Sequence, residues 1–123
     1  MSTVPVSSLL EDLSAIDADE HTPEEWDTLI RAMRSGDTAI VSDAVAWYFL
    51  EVLPPRWMPG NGAFAFCEGD DRYTVFVPVG ERWLMRTLAY GERASHVLDL
   101  RAREMRDEYE QHLRVQVPTQ AGE

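Results

Sequence analysis

Lysine is absent from this chain. All 11 basic residues are arginine, set against 22 acids, and the net charge is −11. The arginine-only usage reads as the mark of a GC-rich coding genome. The charge balance says more: gripping a nucleic-acid backbone needs a basic face, so direct phosphate contact is disfavoured. With one cysteine, Cys67, there is no intrachain disulfide framework, which fits a reducing cytosol. No apolar run is long enough to span a membrane, and the N-terminus lacks the basic segment of a leader. The expected location is therefore cytoplasmic.

Chemistry-bearing motifs are equally scarce. Only three histidines occur, and His96 and His112 stand sixteen positions apart, so one helix would point them to opposite sides. All three read as surface histidines, with His112 pairing with Glu108 along a helix face, and no metal site is expected. Cys67 has no basic neighbour in sequence and reads as a buried, inert thiol. Gly60-Asn61-Gly62 has no lysine and opens a strand rather than a helix, so it is a turn and not a phosphate loop. Glu68, Asp70 and Asp71 lack the spacing of a calcium loop and read as a solubilising hairpin turn. No nucleophile motif is present. The expectation is a chain that is not an enzyme and carries no cofactor.

What is present suffices for one domain, 1–123, with 1–6 and 118–123 as frayed tails: 123 residues, 45% of them apolar. Ser8-Leu9-Leu10-Glu11 is a capping-box pattern, and Leu9, Leu10, Leu13 and Ile16 at helical spacing predict a first helix. Thr22-Pro23-Glu24-Glu25 starts a second, with Trp26, Leu29, Ile30 and Met33 as its apolar stripe and Gly36 as its stop. Residues 37–41 are short and extended. Ser42 caps a third helix, rich in alanine and aromatics, which Pro54 must end. So apolar a helix should be buried around most of its circumference.

Three strands follow. Ala63–Cys67 puts Phe64 and Phe66 on one face, and Tyr73–Val77 ends, or bulges, before Pro78. Arg82–Tyr90 enters through a Gly80-Glu81 turn. Arg93 to about Leu113 is the longest helix, with the stripe Leu98, Ala102, Met105, Tyr109 and Leu113. The predicted fold is α+β, of order ααα-βββ-α: a small three-stranded antiparallel meander packed with N-terminal helices and one long C-terminal helix.

The run Tyr48-Phe49-Leu50-Glu51-Val52-Leu53-Pro54-Pro55-Arg56-Trp57-Met58, with Ala63-Phe64-Ala65 and Glu68 after it, resembles the core of a bacterial family of domains of unknown function. That family is frequent in rhizobia and their relatives, often on plasmids. The similarity spans roughly residues 45–90, and its most specific string is Leu-Pro-Pro-x-Trp-Met. The N-terminal helices and the C-terminal helix do not match, and the family's longer C-terminal part is missing. The resemblance implies a mobile-element setting and no mechanism.

Acid is concentrated at one end. Residues 1–30 hold eight acids and no basic residue, whereas the other 93 hold fourteen acids and eleven arginines. The plain reading is a solvated face that keeps the protein soluble. The sharper one is a DNA-mimicking surface formed by Glu11, Asp12, Asp19, Glu20, Glu24, Glu25 and Asp27. Such a surface would occupy the basic groove of a nucleic-acid-binding host defence complex, in the manner of an anti-CRISPR or anti-restriction protein. Arg56 and Trp57 would be interface anchors. The alternative is a small-ligand or sensory domain with an aromatic pocket lined by Trp47, Trp57, Phe66 and Trp83. A homodimer through the C-terminal helix stripe is a third option.

Overall fold

The computed structural model describes residues 11–16, 22–68 and 72–116. They form β1 (Glu11–Leu13), α1 (Pro23–Ser35), β2 (Ala39–Ser42), α2 (Asp43–Val52), β3 (Phe64–Glu68), β4 (Arg72–Val79), β5 (Arg82–Ala89), a 3-10 turn (Tyr90–Glu92) and α3 (Ser95–Gln116). One five-stranded sheet runs in the order β1-β2-β5-β4-β3. Its β1–β2 pair is parallel and the other pairs are antiparallel. The α+β class and the β3-β4-β5 meander are as predicted, but the sheet is mixed and larger, and the order is β-α-β-α-βββ-α.

The difference arises at the start of the chain, where a helix was expected and β1 stands instead. Leu13 and Ile16 still enter the core, so the apolar spacing was informative about burial and misleading about conformation. A local competitor decides it. The Asp12 carboxylate accepts from both the amide and the hydroxyl of Ser14, at 3.0 and 2.6 Å, offering the backbone a turn in place of a helix. Pairing with β2 then engages one edge of the Glu11–Leu13 backbone. Ser8, Leu9 and Leu10 of the supposed capping box lie outside the described residues, as do both predicted tails.

The two other N-terminal elements follow their local signals. At α1 the Thr22 hydroxyl accepts from the Glu25 amide at 3.2 Å while the Glu25 carboxylate accepts from the Thr22 amide at 2.9 Å. Gly36 ends the helix in the left-handed region at φ 80°, where a side chain would be strained. Thr22→Ala should cost about 1 kcal/mol of stability, read as a lower urea midpoint at unchanged slope. At α2 Ser42 accepts from the Val45 amide, and Leu53 adopts an extended backbone ahead of Pro54. Contrary to expectation, α2 buries one side only. Val45, Ala46 and Phe49 face the sheet, while Trp47 and Val52 are each 51% exposed.

The sheet separates two apolar layers. Beneath α1 and α2 lie Leu29, Met33, Val45, Phe49, Phe64, Phe66, Phe76, Trp83 and Met85. Four of these rings pack closely. Phe64 stacks on Phe76 at 5.0 Å and Phe49 on Phe66 at 5.5 Å, while Phe76 also meets Phe66 at 5.9 Å. On the opposite face α3 lays Leu98, Ala102 and Met105 over Ile40, Val75, Val77, Leu84 and Leu88. The predicted α3 stripe is therefore spent on the sheet, except for the 41% exposed Leu113.

Pro78 does not end β4, which continues to Val79. The reason lies in the register. β3 reaches only to the Phe64–Phe76 pair, so beyond it β4 pairs with β5 alone, and proline is tolerated on such an open side. Gly62 makes room for it: a Cβ there would sit 3.1 Å from the Pro78 ring, and its φ is 95°. The loop after α2 then folds back along β3. The Arg56 amide donates to the Ala65 carbonyl at 2.7 Å, and Ala65 and Trp57 exchange backbone bonds. This cover blunts an otherwise open sheet edge. Among the described residues no helix is long and apolar enough to cross a membrane.

Candidate interaction surface

The outer side of the α1–α2 layer is built from two helices that lean on each other through aromatic rings. Trp26 of α1 meets Tyr48 of α2 at 5.4 Å and the edge of Phe49 at 6.0 Å. The start of α2 is fixed to the sheet by the Trp83 indole, which donates to the Asp43 carboxylate at 2.7 Å. Ser42 ties it further by donating to the Ile16 carbonyl at 3.1 Å. These contacts leave Asp43, Ala44, Trp47 and Glu51 on the exposed side of α2. Trp47 stands at four-residue spacing between Asp43, whose carboxylate is held by Trp83, and the exposed Glu51, and Glu24 and Asp27 are exposed on α1. Ile30, expected in the buried α1 stripe, is instead 37% exposed.

The other acidic positions have different fates. The Glu25 carboxylate is engaged in the α1 cap. Asp12 is exposed, but it holds Ser14 and lies 3.6 Å from the Arg82 guanidinium. Its pKa is held below the usual carboxylate range, chiefly by the Ser14 hydroxyl bond, with the Arg82 and His112 charges adding to this and partial burial opposing it. Glu11 contributes backbone to β1, and Asp19 and Glu20 lie outside the described residues. Of the seven acids, the described surface brings together only Glu24 and Asp27 with carboxylates pointing to solvent and no recorded partner. Arg56 is exposed, whereas Trp57 is buried at 8% against the sheet.

The rings proposed to line a pocket do not converge. Phe66 and Trp83 lie in the layer beneath α1 and α2, Trp57 in the layer beneath α3, and Trp47 is outside both.

A second feature was missed because His112 was read as a surface residue. It is only 7% exposed, and its Nδ1 is buried with no hydrogen-bond partner among the described residues. Seven positions after Met105, it shares the sheet-facing side of α3, which the periodicity could have shown. Its expected partner, Glu108, instead accepts the buried Thr38 hydroxyl at 2.6 Å. Together with Asp12 and Arg82 these groups form a polar corner where α3 crosses β1 and β2. Among the described residues no three His, Cys, Asp or Glu side chains gather to hold a metal. Cys67 is half-buried at the end of β3 rather than sealed in the core.

Comparison with protein-family models, with curated proteins and with solved structures returned no match.

Proposed function

We propose that this chain is a non-enzymatic interaction protein of a mobile genetic element, acting in the cytoplasm. In this reading the outer side of α1 and α2 docks in the basic groove of a nucleic-acid-binding protein and blocks it. The target class is a host defence complex, in the manner of an anti-CRISPR or anti-restriction protein. The mobile-element setting rests on the resemblance of residues 45–90 to the plasmid-borne bacterial family. The observation that carries the binding face is Trp47, half exposed on α2 between Asp43 and Glu51, together with the exposed Glu24 and Asp27 of α1.

Two physical terms divide the work. A net charge of −11 steers the chain toward a basic partner and away from nucleic acid itself, and rim carboxylates act mainly on the association rate. Tryptophan supplies a large, rigid contact whose burial holds the complex together. The face thus combines an anchor with a charged surround, which is less than a full phosphate-like row and more than a solubilising surface.

The test is binding to the partner across a salt series. Glu24→Lys with Asp27→Lys should slow association by about tenfold or more at low salt and flatten the salt dependence. An unchanged association rate would remove these carboxylates from the interface.

A further inference from the structure

The end of the sheet where β4 begins and β5 finishes holds a cleft of about 360 Å³, lined by Met33, Arg34, Arg72, Thr87, Leu88 and Ala89. Among the described side chains that line it, donors and apolar surface are present and no carboxylate is, which is unusual for so acidic a chain. Neither Arg34 nor Arg72 has an ion pair or side-chain hydrogen bond to a described residue, although acids outnumber arginines two to one. Arg34 stands in the last turn of α1, where a cation suits the helix dipole. Arg72, on a strand, has no such role.

The base of the cleft adds a third donor. Thr87 is 7% exposed, and its hydroxyl shares a 2.9 Å hydrogen bond with the fully buried Thr74 hydroxyl. Two hydroxyls joined by one bond use one of their two protons. The second proton has no acceptor among the described residues, and when Thr74 donates it belongs to Thr87, on the cleft side. Two guanidiniums and a hydroxyl then line a space large enough for a small molecule, with Met33 and Ala89 beside them.

We propose that this cleft binds the oxyanion group, phosphate or carboxylate, of a small molecule. Planar guanidiniums bind such groups through paired charge-assisted hydrogen bonds, and a buried hydroxyl adds direction. The site lies at the C-terminal end of α1, where Arg34 stands in the last turn.

Amide NMR titration of the full chain with inorganic phosphate, and separately with citrate, at constant ionic strength tests this. The expected result is saturable shifts at Arg34, Arg72 and Thr87–Ala89 with at least one anion. Arg34→Gln with Arg72→Gln should weaken that binding by about tenfold or more, whereas Arg31→Gln with Arg103→Gln, exposed and outside the cleft, should leave it unchanged. The same spectra report whether each variant is folded. A response to phosphate alone assigns a phosphoryl ligand, and a response to citrate alone assigns a carboxylate. Linear, unsaturable shifts with both anions would overturn the proposal, as would equal affinity in the double cleft variant.

Discussion

Phe76→Ala should destabilise the fold by about 3–5 kcal/mol, a large part of the total stability of a domain this size. Phe76 is fully buried and stacks with Phe64 and Phe66 of β3 while touching Phe49, so one ring on the central meander strand ties β3 to α2. Removing it costs the transfer free energy of the ring, the cavity left behind and the ring-pair geometry. The cavity cannot collapse easily, because β4 pairs on both sides at Phe76, with Phe64 and with Met85. Phe76→Leu keeps most of the volume and should cost less than about 1.5 kcal/mol. Urea denaturation of the two variants checks both figures. A loss below about 1 kcal/mol for the alanine variant would mean that this layer is less tightly packed than described.

The second large effect concerns binding and leaves folding nearly untouched. Trp47→Ala should weaken partner binding by about 2 kcal/mol or more, roughly thirtyfold, mostly through faster dissociation. The same change should alter stability by no more than about 0.5 kcal/mol, since half of the side chain is already in water. This separation identifies an interface residue. If Trp47→Ala instead destabilised the chain by several kcal/mol, its ring would be serving the fold. Equal loss of binding with Phe49→Ala at the same folded concentration would point to helix placement instead of direct contact.

Local signals explain how much could be read in advance. The capping box at Thr22, the Gly36 stop, the Ser42 cap and the Leu53-Pro54 ending are short-range devices, and the structure contains each of them. The Phe64 and Phe66 face and most of the α3 stripe were equally accessible, because strand alternation and helical spacing are backbone periodicities. Residues 11–16 were not, because Leu13 and Ile16 satisfy a helical pattern while pairing with β2 favours a strand. No local rule announces a partner strand 28 positions away in register. Pro78 failed for a related reason: its tolerance depends on where β3 stops, which is a property of the sheet.

The candidate face was half legible. Asp43, Trp47 and Glu51 lie at four-residue spacing, so placing Trp47 on a polar stripe needed only the helix that Ser42 and Pro54 already bounded. The general apolarity of that helix concealed it. Trp57 shows the reverse. Its Arg-Trp neighbourhood suggested a contact point, yet the loop carrying it turns back onto β3 and buries the ring. Burial of His112 and the placing of Arg34 and Arg72 along one cleft depend on elements far apart in the chain, and sequence spacing carries no trace of the second.

Site-specific photocrosslinking in extract of the protein's own cells tests the central claim most directly, with the crosslinker placed at position 47 on α2 and, for comparison, at position 100 on the solvent side of α3. The account predicts that position 47 captures a nucleic-acid-binding protein, less so as salt rises, and that position 100 does not. Capture of the same proteins from both positions, of nucleic acid itself, or of nothing from position 47 would contradict it.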